Sequence, residues 1–117
     1  MYEIELYQTA TGNVPIKKYL REISKRQGVA ELTRIRLYVE LLREHGMKIN
    51  NYRPHSIRQI DGDLYELRPG DNRLFFFYYK ENRFVLLHGF VKKQKQTPQF
   101  EIDTARRRME DYIGRYS

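Results

Sequence analysis

The sequence contains no cysteine and no long apolar run. The absence of cysteine excludes disulfides, a thiolate zinc site and a cysteine nucleophile. A bilayer span needs ~20 consecutive apolar residues, and no stretch approaches that length. The first eight residues also lack the basic-then-apolar pattern of a signal peptide. We therefore expect a cytoplasmic protein.

Motifs for metals and cofactors are missing as well. The three histidines, His45, His55 and His88, are scattered along the chain, and no pair has the spacing of a zinc motif. There is no Gly-x-x-x-x-Gly-Lys loop, no dinucleotide fingerprint and no serine in the context of a nucleophile. The sequence predicts neither a metal nor a cofactor.

The charge is strongly positive. With 22 Lys+Arg against 15 Asp+Glu among 117 residues, the net charge is +7 and the pI about 9.7. Such an excess favours nucleic acid, an anionic membrane surface or an acidic protein as partner. We expect no membrane partner, because the amphipathic helices use their apolar faces for the core. The length fits a single domain over 1–117.

Alternating hydrophobicity and turn residues predict an α+β fold. The centre is an antiparallel meander, since three β-type runs are joined by short polar turns. Two further strands and three helices surround it, and the first two helices form a hairpin. The predicted strands are Glu3–Tyr7, Ser56–Ile60, Asp63–Arg68, Arg73–Tyr79 and Arg83–Phe90. The predicted helices run from Pro15 to Gly28, from Val29 to His45, and onwards from Thr97-Pro98.

Basic residues gather at one end of the meander. Arg68 ends one strand and Arg73 opens the next, so both guanidinium groups are expected to be wet and to converge on one spot. Two arginines so placed repel unless an anion lies between them, and their geometry suits phosphate. Glu66 shares a strand face with Arg68, so a purely structural ion pair is the alternative. The same end is also supplied by Lys92, Lys93 and Lys95.

The aromatic run of the meander is predicted to be mainly core. Its phenylalanines are expected inside, whereas Tyr65 and Tyr79 are the candidates for stacking on nucleic-acid bases, since a phenol tolerates a wet rim. Together with Lys95 and Arg106, they form the predicted nucleic-acid-binding set.

These residues resemble the HigB-like, phage-derived branch of the RelE toxin superfamily. The resemblance lies in Leu64–Arg68, in Arg73 opening an aromatic strand, in Leu86–Lys93, and in Thr97-Pro98 followed by Glu101–Arg106. It implies a curved antiparallel sheet of four to five strands, with the helix hairpin on one face and a C-terminal helix. Arg68 and Arg73 match arginines that border the catalytic surface of the family, and Lys92 and Lys93 match its basic pair.

The resemblance also implies a function. The chain would be the toxin of a type II toxin–antitoxin pair, a metal-free endoribonuclease that cuts mRNA on the ribosome. Its partner would be a cognate antitoxin, expected to be a helix-turn-helix protein. The general base stays open between a lysine and Glu66. The alternatives are a basic RNA- or DNA-binding module that does not cut, and an interaction protein whose cations receive an acidic partner.

Overall fold

The computed structural model describes residues 1–116. Over that range the chain forms five strands, three α-helices and a short 3-10 helix. In chain order they are β1 (Glu3–Leu6), α1 (Pro15–Gln27), α2 (Val29–His45), the 3-10 helix (Gly46–Asn51), β2 (Ile57–Asp61), β3 (Leu64–Leu67), β4 (Asn72–Tyr78), β5 (Arg83–Val91) and α3 (Gln99–Tyr116). The predicted α+β class is confirmed.

The strands form one sheet in the order β1-β5-β4-β3-β2. The predicted meander of β3, β4 and β5 is confirmed as antiparallel, and β2 joins it as a hairpin with β3. The expectation of a wholly antiparallel sheet does not extend to β1, which pairs with β5 in parallel. Parallel neighbours need a long connection, and here the helix hairpin and three strands separate them along the chain.

The sheet is covered on both faces. On one face, α1 and α2 pack over a core that includes Leu74 and Phe76 of β4. On the other face, α3 packs over a core that includes Phe75 and Phe77. Successive side chains of a strand point to opposite faces, so this continuous apolar run fills both cores. The prediction that the phenylalanines are core residues is therefore confirmed.

A bulge in β5 changes which residues face α3. Phe76 pairs with Leu86 and Phe75 pairs with His88, which leaves Leu87 without a partner in β4. One extra residue shifts the alternation by one position. As a result, His88 and Phe90 lie on the face of Phe75, whereas Gly89 lies on the face covered by the helix hairpin.

Candidate functional site

The candidate site is built around a buried carboxylate. Glu66 is 0% exposed, and its Oε1 lies 3.6 Å from the Nε atoms of Arg58 and Arg68 and 3.9 Å from that of Arg73. Both carboxylate oxygens, and the Nε atoms of Arg68 and Arg73, have no hydrogen-bond partner within residues 1–116. Unsatisfied buried polar atoms are uncommon and costly, and they often mark a functional site.

Strand register brings these side chains together. Glu66 in β3 pairs with Arg58 in β2 and with Phe75 in β4, so their side chains share the face of the sheet that α3 covers in part. Arg68 lies two residues after Glu66, and Arg73 lies two residues before Phe75, so both arginines point to the same face. The sequence predicts that Glu66, Arg68 and Arg73 lie at one spot, and the structure brings them together.

Arg73 is more deeply placed than the sequence indicated. Its residue exposure is 7%, so the expectation of a wet guanidinium does not hold for this arginine. Its Nη1 donates hydrogen bonds to the carbonyls of Gly70, at 2.7 Å, and Asn72, at 2.9 Å. Burial lowers the pKa of Arg73, while Glu66 opposes that shift and Arg68 adds to it. The turn between β3 and β4 therefore fixes this cation at the floor of the site.

Lys92 adds a fourth cation. Its backbone N–H donates to the carbonyl of Asp71 at 2.7 Å, which holds it beside the turn that carries Arg73. Desolvation lowers the pKa of Lys92, and the positive charges of Arg73, Arg68 and Arg58 lower it further, against the opposing effect of Glu66. A lysine with a lowered pKa surrounded by cations is one form that a general base takes in enzymes.

The cluster carries a surplus of positive charge. Arg58, Arg68, Arg73 and Lys92 surround one buried carboxylate, and Asp71, an exposed residue of the adjoining turn, also acts on Arg73. The side chains of Arg58 and Arg68 are 51% and 25% exposed, so their guanidinium groups reach solvent. This arrangement is chemically suited to an anion such as a phosphodiester.

Arg58 is a site residue that the sequence analysis missed. It lies in the short strand β2, in the run Ile57–Asp61, whose exposed positions look like ordinary surface. Its position depends on a shift in the pairing register of β2 with β3, which lies between Gln59 and Asp61. Because of this shift, Arg58 rather than Gln59 is opposite Glu66. The signal that could have found it is the hairpin turn at Gly62, which places β2 beside the strand that carries Glu66.

The two tyrosines lie away from this cluster. Tyr79 follows the opposite end of β4 from Arg73, about 20 Å away at the usual rise per strand residue, where its hydroxyl donates to the carbonyl of Tyr116 at 2.7 Å. Tyr65 stacks with Phe76 and packs on the core beneath the helix hairpin, on the sheet face opposite Glu66. The structure therefore does not bring either ring to the arginines.

The remaining predicted residues are spread around the rim. Lys93 lines a cavity of about 630 Å³ between α1, the end of β5 and the start of α3, so it lies to the side of Lys92. Lys95 is exposed in the connection to α3. Arg106 of α3 pairs with Asp61 at the end of β2, at 2.5 Å. Its charge is thus already matched by a carboxylate.

No group of three or more His, Cys, Asp or Glu side chains within residues 1–116 could hold a metal ion. None of the helices in that range is both long enough and apolar enough to cross a membrane.

A family comparison places the chain. Residues 17–110, which include every residue of the charged cluster, match the family described as phage-derived Gp49-like proteins (DUF891). The chain belongs to this family. Gp49-like proteins are associated with RelE-like toxins. A comparison with curated proteins finds no match.

Proposed function

We propose that this Gp49-like protein is a toxin of the HigB-like branch of the RelE superfamily, which acts in the cytoplasm by cutting mRNA on the ribosome without a metal. The observation that carries the proposal is the surplus of cations around the buried Glu66. Three arginines and Lys92 converge there, where β3 and β5 end and β4 begins. The cluster is suited to hold a phosphodiester and to stabilise the charge that develops when it is cleaved.

The chemistry requires little beyond these side chains. The 2′-hydroxyl of a ribose attacks the adjacent phosphorus, the bond to the 5′-oxygen breaks, and a 2′,3′-cyclic phosphate remains. One proton must leave the 2′-hydroxyl and one must reach the departing oxygen. Arg58 and Arg68 are exposed enough to bind the non-bridging oxygens, and Arg73 supports them from below. Arg58 and Arg68 thereby hold the phosphate in place for in-line attack.

Lys92 is the base that we propose. A general base must come within about 3 Å of the proton that it removes. Glu66 is fully buried behind three guanidinium groups, so a ribose hydroxyl cannot approach it without displacing them. Lys92 is partly exposed, and its pKa is lowered by desolvation and by the arginines. Glu66 then serves to hold the arginines together.

The second candidate function is binding of RNA without cleavage. The exposure of Arg58 and Arg68 favours it as much as it favours the enzyme, since both would contact phosphates in either case. The two differ in their product. An enzyme leaves cyclic-phosphate ends, whereas a binder only shows affinity that weakens steeply with salt.

The test is an mRNA-cleavage assay on programmed ribosomes. Purified protein should yield fragments with 2′,3′-cyclic phosphate ends, and chelation of divalent ions after ribosome assembly should leave the rate per bound ribosome unchanged. Arg68→Ala should form these fragments about 10²–10³ times more slowly. Arg83→Ala is the matched control, because Arg83 begins β5 and therefore lies at the opposite end of that strand from Lys92. Salt-sensitive RNA binding with intact messages would instead establish the second function.

The proposed partner is an antitoxin of helix-turn-helix type. A net charge of +7 would speed its capture if the antitoxin is acidic, and the association rate would fall as salt rises. The surface that we propose for it is made either by the helix hairpin or by the basic residues at the end of the meander, which are Arg68, Arg73, Lys92, Lys93 and Lys95. Association kinetics at two ionic strengths test the steering, and a rate that ignores salt would contradict it.

A further inference from the structure

A polar network lies directly behind the candidate site, on the opposite face of the sheet. The side chain of Asn72 is fully buried next to Arg73 in β4. Its Oδ1 accepts a short hydrogen bond from the hydroxyl of Tyr19, and its Nδ2 donates to Glu31 Oε1 at 2.8 Å and to the carbonyl of Pro69 at 3.4 Å. Every polar atom of this amide is therefore engaged.

The network joins three separate elements. Tyr19 belongs to α1, Glu31 to the first turn of α2, and Asn72 to the start of β4. Tyr19 is itself fixed by packing, because its ring lies over Gly89 in β5. A Cβ atom at Gly89 would come within 2.6 Å of Tyr19 Cδ2. The helix hairpin is thus held to the sheet at the end where the arginines gather.

The same turn determines where the guanidinium of Arg73 lies. Arg73 Nη1 is bonded to the carbonyls of Gly70 and Asn72, so its position follows that of the turn backbone. The turn is in turn held by the Asn72 side chain, through Pro69 and through the two helices. A displacement of Asn72 would move its own carbonyl, one of the two acceptors of Arg73, and would weaken the bond to Pro69, the residue before the other acceptor.

We propose that Tyr19, Asn72 and Glu31 are positioning residues for Arg73. This inference rests on the proposed function, since it assigns the network to the accuracy of the same site. Buried polar groups are costly unless fully bonded, and a fully bonded network favours one arrangement over others. Here the arrangement that it favours is the one that aims Arg73 at the Glu66 cluster.

The test exchanges the donor and the acceptor in the bond between Asn72 and Glu31. Asn72→Asp places two carboxylates face to face and should lower kcat about 10- to 100-fold, since a displacement of ~1 Å can cost 10²-fold. Glu31→Gln keeps an acceptor for Asn72 and should stay within about twofold of wild type. The double variant restores this bond in the reverse direction, as well as the net charge, and should recover part of the loss, because a carboxylate at position 72 cannot donate to the Pro69 carbonyl.

The control is Arg34→Ala. Arg34 pairs with the other oxygen of Glu31, at 3.9 Å, and its side chain is 54% exposed. The substitution removes a charge beside Glu31 and leaves the hydrogen bonds of Asn72 in place, so kcat should not change. A positioning role predicts a loss in kcat with little change in KM, at temperatures far below the melting point of each variant.

A second readout does not depend on cleavage. The Nε–H signal of Arg73 in ¹H–¹⁵N spectra should shift in Asn72→Asp and return in the double variant. If wild-type protein does not cut RNA, the proposed function fails, but this signal still tests the network. A folded Asn72→Asp protein with wild-type kcat, or with an unchanged Arg73 signal, would overturn the inference.

Discussion

The two ends of the central strands each hold a cluster of arginine and glutamate, and the two clusters are opposite in composition. At one end, Arg83 lies 3.5 Å from Glu3 and 3.8 Å from Glu5, and its Nη1 is 3.3 Å from the hydroxyl of Tyr112. One cation there faces two carboxylates at the surface. At the other end, one buried carboxylate, Glu66, faces three arginines.

The difference separates a structural ion cluster from a candidate site. The hydrogen bond with Tyr112 and the nearby acids raise the pKa of Arg83, so its charge is stabilised within the protein. Burial and neighbouring cations lower the pKa values of Arg73 and Lys92, so their charged forms are less stabilised within the protein, and a bound anion would stabilise them. An imbalance of buried charge, rather than the presence of ion pairs, distinguishes the end that holds the candidate site.

The largest expected effect is on stability. Glu66→Gln removes the buried counter-charge shared by three arginines and should lower the free energy of unfolding by about 3–5 kcal/mol, the usual cost of breaking a buried ion pair. Glu3→Gln should cost less than ~1 kcal/mol, because exposed pairs contribute little. Denaturant unfolding of both variants measures the contrast. Equal losses would show that the two clusters are equivalent.

The next effect is on activity. Arg68→Ala and Arg73→Lys should each lower the cleavage rate by about 10²–10³, the usual loss when a preorganised donor to a charged transition state is removed. Lysine at position 73 keeps the charge but loses the planar geometry, and it avoids emptying a buried site. Arg83→Lys is the control and should cut at the wild-type rate. A folded Arg73→Lys protein with full activity would refute the assignment.

Much of the fold could be predicted from the sequence. The order of elements, the meander and the placement of Arg68, Arg73 and Glu66 at one spot follow from alternation and turn residues, which are local signals. The parallel pairing of β1 could not, because it depends on contacts between distant segments.

Two irregularities of register explain most of what the sequence did not reveal. The shift between Gln59 and Asp61 brings Arg58 opposite Glu66, and the bulge at Leu87 places Lys92 on the same face as the arginines. Beyond such a shift in register, a prediction from alternation alone assigns each side chain to the wrong face of the sheet. The depth of Arg73 also depends on tertiary packing, since strand ends are usually wet. The distant position of Tyr79 follows from the length of β4.

A smaller effect should appear in the pH dependence of cleavage. If Lys92 is the base, the rate should rise with pH and level off below pH 10.5, because the folded protein lowers the pKa of this amine. Lys92→Ala should lose this rise together with about 10² in rate. Lys80→Ala is the control, since Lys80 is exposed and lies over the Tyr79 ring, at the opposite end of β4 from Arg73. An unchanged profile in Lys92→Ala would exclude Lys92 as the base.

The smallest effect concerns a third charged cluster, which pH should convert from balanced to unbalanced. His88 Nε2 lies 2.6 Å from Glu101 Oε1, and its Nδ1 is 3.1 Å from Arg108 Nη1. Because Arg108 can only donate, Nδ1 accepts and the neutral ring donates to Glu101. Desolvation lowers the pKa of His88, against the opposing effect of Glu101. At neutral pH the cluster therefore holds one cation and one anion.

Acid should weaken this cluster in a defined window. The unfolded chain takes up the proton near pH 6.5 and the folded chain only at lower pH, so stability is complete above 6.5 and falls as pH drops from there towards the folded pKa. One proton limits the slope to about 1.4 kcal/mol per pH unit. His88→Gln should flatten the slope between pH 6.5 and 5, measured by denaturant unfolding. His55→Asn, at an exposed position with a φ of 64° that asparagine tolerates, should keep it. Identical slopes in wild type and His88→Gln would contradict the tautomer assigned here, and with it the view that this cluster is balanced only while His88 is neutral.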